Sequence, residues 1–477
     1  MDERKKLVAI TIVGYTAFIV LMTLTFAPQG YQQLATESAA AHIASSVGLF
    51  VSFLALAVYM LPRGLKWVSV KLVWGASAVV LICQTLFALL NHSLLTLPTA
   101  VLLCLHAATG ASFSILFTFW TGVSYLFDRR NFQFCILAGS LISAFVAILI
   151  SPFQSDALLI ATKLIAIVAV AIACTLLSSH AKELDKKQTG ELSSMASSTK
   201  GLLLPILCTG SLSFAYQYSW MAAGTDSQAS LYFSVGQACA TSLVLLVAAA
   251  PGVKSISIGR CFRVICPIAC IFVLLQAFTS GTVQVLCMSI VSATFNLCII
   301  LLLPLCASMA KQKSLSAPGL YAMSSSVVYA FMALGCLMGL LPEDYAGVSL
   351  CVLAFVVLAI LSASILLSKD DSYDFALVLG NDSDEAPSAE GPIDKPTNRE
   401  FFASLLSEEY GLTKRETEVL RMLLLGRDAP SISEELCIST NTVKTHVKHI
   451  YAKLDIHSRQ ELIDMVEDFE KTLRQSL

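Results

Sequence analysis

The sequence predicts an all-α protein in two physically different parts: a polytopic membrane bundle of about twelve transmembrane helices, arranged as six plus six, and a small four-helix domain at the C-terminus. Three observations carry this reading. The 477 residues are 56% hydrophobic and 13% charged, with a mean hydropathy of +0.74, whereas a soluble globular chain is about 45–50% apolar and about 25% charged. The composition changes abruptly: up to about Ser368 the chain is apolar with brief polar breaks, and from Lys369 onward it is polar and charged. Within the polar part, apolar residues recur at helical spacing from Leu412 onward. The chain thus divides into a bundle (1–368), a linker (369–400) and a C-terminal domain (401–477).

The spans come first in chain order. Arg4, Lys5 and Lys6 precede an apolar run from Leu7 to Ala27. That run is longer than the 7–15 residues of a signal-peptide core and matches the roughly 20 residues a crossing needs, so it is read as the first span. The others cover approximately 39–61, 67–90, 94–127, 131–151, 157–177, 202–223, 229–250, 261–280, 282–309, 319–341 and 346–368. The charges test this register independently, because Lys and Arg collect on cytoplasmic loops. Arg63 and Lys66 follow span 2, Arg129 and Arg130 follow span 4, and Lys182, Lys186, Lys187 and Lys200 follow span 6. Lys254 and Arg260 follow span 8, Lys311 and Lys313 follow span 10, and the alternate loops carry neither residue. Both termini are therefore expected in the cytoplasm of a bacterial cell, with the bundle in the cytoplasmic membrane.

The longest inter-span loop, about 178–201, divides the spans six and six. This layout resembles the major facilitator superfamily of transporters, which implies two six-helix halves around a central site. The loop Leu61-Pro62-Arg63-Gly64-Leu65-Lys66 lacks the aspartate of that superfamily's signature. The spans also hold essentially no Asp or Glu, which a proton-coupled pump would need. Both points favour sensing over transport.

Ionisable and polar residues inside spans are the candidates for a ligand site: His106, Trp120, Lys163, Tyr216, Trp220, Gln237 and Asn296. Each has a blander reading. Lys163 can snorkel, His106 can be a satisfied core histidine, and the Tyr216–Trp220 group can belong to an interfacial aromatic belt. Gly335 and Gly339, four apart, point to close helix packing. Of the 15 cysteines only Cys437 lies outside the apolar part, and no CxxC pair occurs. They are read as small buried hydrophobes, with no metal site and no cofactor.

The linker carries Asp370, Asp371, Asp374, Asp382, Asp384, Glu385, Glu390 and Asp394, broken by Pro387, Pro392 and Pro396. That composition predicts a flexible acidic tether, on the order of 100 Å long if extended at about 3.3 Å per residue.

In the last domain Thr413-Lys414-Arg415-Glu416 is a capping box, and Val419, Leu420, Leu423 and Leu424 form the apolar stripe of a first helix that Gly426 ends. A short helix over about Pro430–Leu436 and the turn Cys437-Ile438-Ser439 follow. Ser439 caps a helix over Thr440–Leu454 whose Val443, Val447, Ile450 and Leu454 share one face. A fourth helix begins at Arg459. Two short helices about a tight turn, the second basic, form a helix-turn-helix. The run Leu412-Thr413-Lys414-Arg415-Glu416-Thr417-Glu418-Val419-Leu420 with Gly426, Ile432, Leu436, Ile438-Ser439, Thr442-Val443-Lys444-Thr445-His446, Ile450-Tyr451-Ala452-Lys453-Leu454 and Ser458-Arg459 closely resembles the LuxR/NarL-type DNA-binding domain. The resemblance implies that Lys444, Thr445 and Lys448 reach base edges, and lysine and threonine suit guanine and the thymine methyl respectively. Asn441, Thr442, His449, Tyr451 and Lys453 are assigned to phosphates. It also implies dimerisation through the last helix, where Leu462, Ile463, Val466, Phe469 and Leu473 offer an apolar seam.

The expected function is that of a membrane-anchored transcription regulator, a one-component sensor. Its partners would be the lipid bilayer, an unknown small-molecule ligand and double-stranded DNA bound as a homodimer. The alternative is a secondary transporter with a regulatory DNA-binding tail. No constellation of an enzyme is present.

Overall fold

A computed structural model describes residues 3–26, 35–91, 94–150, 156–181, 192–223, 256–279, 281–312, 315–340 and 376–377, and in the C-terminal part 403, 406–407, 410–424, 432–433, 436, 438–456, 461–462 and 465. It falls into two compact units that divide between Asp384 and Glu385.

The first unit is a helical bundle. Its elements are α1 (Glu3–Phe26), α2 (Ala35–Met60), α3 (Val70–Asn91), α4 (Thr99–Gly122), α5 (Arg129–Ile150), α6 (Asp156–Ala181), α7 (Leu192–Ala223), α8 (Ile258–Leu275), α9 (Gly281–Gln312) and α10 (Ala317–Gly339). Eight of these are long and apolar enough to cross a membrane: α1 to α6, α9 and α10. They coincide with the expected spans 1–6, 10 and 11, and α7 and α8 occupy the places of spans 7 and 9. The expected spans 229–250 and 346–368 lie outside the described residues. The protein is a multi-pass membrane protein, as its composition required.

Packing follows the two expected halves. In the first, α1 lies against α5 and α6, α4 against α2 and α3, and α3 also against α6; in the second, α7 contacts α8, α9 and α10, and α9 contacts α8 and α10. The halves meet where α10 lies along α2 and α4, and where α9 lies along α4 and α5. Small residues set the closest crossings, as they do when helices pack in lipid without a hydrophobic drive. Gly48 on α2 faces the Ala107 carbonyl of α4, and Gly110 on α4 faces the Ser45 carbonyl of α2. Gly335 and Gly339 of α10 lie against α7 at Phe214 and Tyr218, which is the packing role expected of that pair.

Replacing Gly48 with leucine is expected to abolish the α2–α4 crossing, since a β-carbon there falls onto the Ala107 carbonyl oxygen. Gly75 has nothing within 4 Å of its β position, so Gly75→Leu is the matched control. The measure is the yield of monodisperse protein in detergent, lost for the first variant and kept for the second.

Among the described residues ten cysteines are free, and all but Cys104 are buried, as the reading of cysteine as a small hydrophobe anticipated. One feature departs from pure helix. Ile256–Ser257 (β1), just ahead of α8, pairs antiparallel with Ala376–Leu377 (β2), with Ile256 opposite Leu377 and Ser257 opposite Ala376. The second strand falls inside the segment expected to be a free tether, so at these two residues that expectation is corrected. The rest of 369–400 lies outside the described residues. Two two-residue strands with no alternation of their own leave no period in the sequence, and only the partner strand reveals them.

Candidate nucleic-acid interface

The second unit has its own apolar core of Ala403, Leu406, Val419, Leu420, Leu423, Leu424, Ile432, Val443, Ile450, Leu454, Ile456 and Leu462. Its described helices are α11 (Lys414–Leu424) and α12 (Thr440–Leu454). Two chain features build it. Gly411 takes a left-handed φ of +61°, a conformation cheap only without a side chain; there the chain turns between Leu406 and the start of α11. The capping box then forms as the spacing required. Thr413 N donates to Glu416 Oε2 at 2.7 Å, and Glu416 N donates to Thr413 Oγ1 at 3.3 Å.

The helix between α11 and α12 is described at Ile432 and Ser433, with Leu436 N donating to the Ile432 carbonyl at 3.0 Å. Ser439 then caps α12, its side chain accepting from Thr442 N at 3.1 Å. Asp455 ends α12 in the left-handed region at φ 55°. The bounds of α12 are those the sequence predicted. Gly426 and Cys437 lie outside the described residues.

Because Val443, Ile450 and Leu454 are buried and Val447 packs against the same core, the opposite face of α12 is fixed outward. Asn441, Thr442, Lys444, Thr445, Lys448 and His449 are all exposed on α12. Asn441, Lys444, Thr445 and Lys448 follow i, i+3, i+4, i+7 spacing, which makes them one stripe. The Thr445 hydroxyl donates back to the Asn441 carbonyl at 3.0 Å, leaving its methyl as the free feature. Tyr451 is half-buried and packs on the core.

Lys453 is engaged within the domain. Its ammonium donates to Glu416 Oε2 at 2.9 Å and to the Gly411 carbonyl at 3.0 Å, so it braces the end of α12 against the start of α11. The physical reason is that Glu416 is buried, its side chain only 5% exposed, and a buried carboxylate requires a partner. His449 Nδ1 stands 3.9 Å from the other Glu416 oxygen. Burial alone would raise the Glu416 carboxyl; the hydrogen bonds from Lys453 and Thr413 outweigh it and hold it at about 2. Leu462 is likewise drawn into this core, which removes it from the expected dimer seam. The other seam residues lie outside the described set.

The bundle candidates are dispersed. Buried His106 stacks on Phe87 with centroids 4.3 Å apart, as a core histidine does. Lys163 does not snorkel; its ammonium donates to Gln84 of α3 at 2.9 Å. Trp120 is fully buried among Tyr15, Phe18 and Phe119. Tyr216 of α7 stacks on Phe295 of α9 at 5.8 Å, and the adjacent Asn296 donates to its own helix at Ser292. The stack sets Tyr216 beside the residue that precedes Asn296. Trp220 lies on α7 with its side chain outside the described set, and Gln237 is outside it altogether. Sequence reasoning passed over a polar contact between the halves, where Ser46 Oγ of α2 lies 4.0 Å from Cys336 Sγ of α10. A serine and a cysteine so far apart in sequence give no joint signal.

Comparison with known proteins agrees with this geometry. The family model described as bacterial regulatory proteins, luxR family, matches residues 411–466. A putative HTH-type transcriptional regulator of Aeromonas salmonicida is 46% identical over 54 residues, which is 11% of this chain and 28% of that protein. The transcriptional regulatory protein LiaR of Bacillus subtilis is 46% identical over 50 residues, 10% and 24% of the two chains. The fimbriae Z protein of Escherichia coli is 41% identical over 59 residues, 12% and 28%. The chain spans less than a third of the length of each of these relatives. Among solved structures, the E. coli fucose:proton symporter covers 76% of this chain and 98% of its own at 16% identity and a TM-score of 0.49. The C-terminal domain is a LuxR-type helix-turn-helix domain.

Proposed function

We propose that the chain is a membrane-anchored transcription regulator that binds promoter DNA as a homodimer in response to a signal received by its bundle. The observation that carries this reading is the outward stripe of α12, with Lys444, Thr445 and Lys448 exposed and the opposite face locked into the core, on a chain whose other unit is a multi-span bundle. Lys444 and Lys448 would reach base edges in the major groove and Thr445 a thymine methyl. Asn441, Thr442, His449 and Tyr451 would hold phosphates and set the register of the helix. The alternation of charged and uncharged loops supports a topology in which both termini, and so this domain, would lie on the cytoplasmic side of the cell membrane.

Two measurements test the reading. Genome-wide occupancy of the full-length protein should show discrete promoter peaks that vanish when Lys444 and Lys448 are both alanine; diffuse or absent occupancy would reject it. A single cysteine introduced at Gln154, in a background lacking other reactive cysteines, should react with an impermeant thiol reagent on intact cells. Labelling only after lysis would reverse the topology.

A further inference from the structure

At the end of the bundle that carries the charged loops, the two halves are tied together by one compact set of contacts. The chain continues from α4 through a 3-10 turn, Val123–Leu126. Tyr125 in that turn reaches across to the segment between α9 and α10. Its hydroxyl donates to the Leu315 carbonyl at 3.0 Å and accepts from Ala317 N at 3.0 Å. Lys311, in the last turn of α9, reaches back and donates to the carbonyls of Ser124 at 2.7 Å and Phe127 at 2.9 Å. These carbonyls end a helix, where a cation is favoured. Lys66 and Lys311 both stand within 6 Å of the Tyr125 ring centroid, at 5.6 and 5.9 Å, at cation–π range. Ser316 donates to the Leu65 carbonyl and caps α10 through Gly319 N.

Gly122 admits the crossing with Lys66 O 3.1 Å and the Pro318 ring 3.6 Å from its β position, and Gly319 lies against Leu61. Asp128 next to the turn is in turn held by Arg4 at 2.5 Å and by Asn131 at 2.8 Å. Two loops of the first half thus grip one loop of the second. The hydrogen bonds between the halves here all engage backbone groups, and neighbouring bonds in such a network reinforce one another.

The same half carries the strand pair. Ala376–Leu377, in the segment that leads to the DNA-binding domain, adds to Ile256–Ser257 at the foot of α8. Movement of the second half therefore moves the point from which that segment departs.

We infer that the clasp formed by Tyr125, Lys311 and Ser316 is the switch of the regulator proposed above, with β2 as the element that transmits its state. Closed, it holds the second half, and the tail root pinned to that half, in the resting arrangement. A signal that favours separation of the halves at this end opens the clasp and alters DNA occupancy. The inference rests on the regulatory reading and deepens it.

The test uses full-length protein in cells, with occupancy at its own promoter peaks as readout and membrane-inserted protein measured in parallel. Tyr125→Phe keeps the ring and removes both hydrogen bonds, and Lys311→Met keeps the stem and removes the charge. Each is expected to shift occupancy about tenfold in the same direction without added signal, a usual size for coupling between sites. Ala376→Pro removes a strand donor and should make occupancy insensitive to Tyr125→Phe. Unchanged occupancy in both clasp variants at normal protein level would overturn the switch while leaving the regulatory reading intact. Absence of any promoter occupancy in the parent protein would overturn both.

Discussion

Alanine at both Lys444 and Lys448 is expected to remove specific DNA binding. Each lysine lies exposed on the outward stripe of α12, and a side chain that reads a base contributes about 1–3 kcal/mol of binding and discrimination. Each single variant should therefore bind its operator about tenfold to a hundredfold more weakly and tolerate base changes better at one position. The two sit one helical turn apart on the stripe proposed to read bases, so the double variant should fall to the level of non-specific, salt-governed binding. Titration of a labelled operator at fixed salt measures this. Lys453→Ala provides the contrast. Its ammonium is held by Glu416 and the Gly411 carbonyl, so its loss should lower thermal stability while leaving sequence preference unchanged. Equal loss of preference in all three variants would mean that α12 does not meet DNA along its stripe.

Glu416→Ala is expected to cost the helix-turn-helix domain about 2–3 kcal/mol, enough to unfold a large share of a domain this small. One carboxylate satisfies the Thr413 amide, the Thr413 hydroxyl and the Lys453 ammonium. Its removal leaves a helix without its cap and a lysine without its partner. Exposure of Lys453, 36% for its side chain, lets water screen part of the pair and keeps the figure below that of a fully buried bridge.

The same group sets a pH dependence. Its carboxyl lies at about 2 when folded against an ordinary value of 4.5, so the unfolded chain binds the proton more readily. This contribution is complete above about pH 4.5 and is lost as the pH falls from there toward 2. Glu416→Gln should therefore be less stable than the parent near neutrality, with the gap closing across that window, as followed by thermal melts of an isolated fragment that begins near Arg399.

Much of this was legible in the sequence because two periodic signals were strong. Apolar runs the length of a bilayer named the spans, and the parity of lysine and arginine along the loops gave them a register without any contact being known. The Thr413–Glu416 spacing and the Ser439 cap predicted both described helices of the C-terminal domain, and α12 has the bounds the sequence assigned. Local rules suffice there because caps and helical stripes act within four residues.

The sequence by itself thus determined that the chain is a multi-pass membrane protein with a LuxR-type helix-turn-helix, and which face of α12 is free. What the tertiary structure decided lies at contacts between residues far apart in the chain. The sequence assigned Lys453 to a phosphate and gave no sign of its bond to Glu416, which folding supplies because a buried carboxylate requires a partner. Leu462 looked like a dimer seam until it filled the domain's own core. Lys163 found Gln84 on another helix instead of the membrane surface. Tyr125 and Ser316 carried no signal and Lys311 only that of a loop charge, since their partners are backbone groups, which every residue possesses and which only the approach of two helix ends brings within hydrogen-bonding distance.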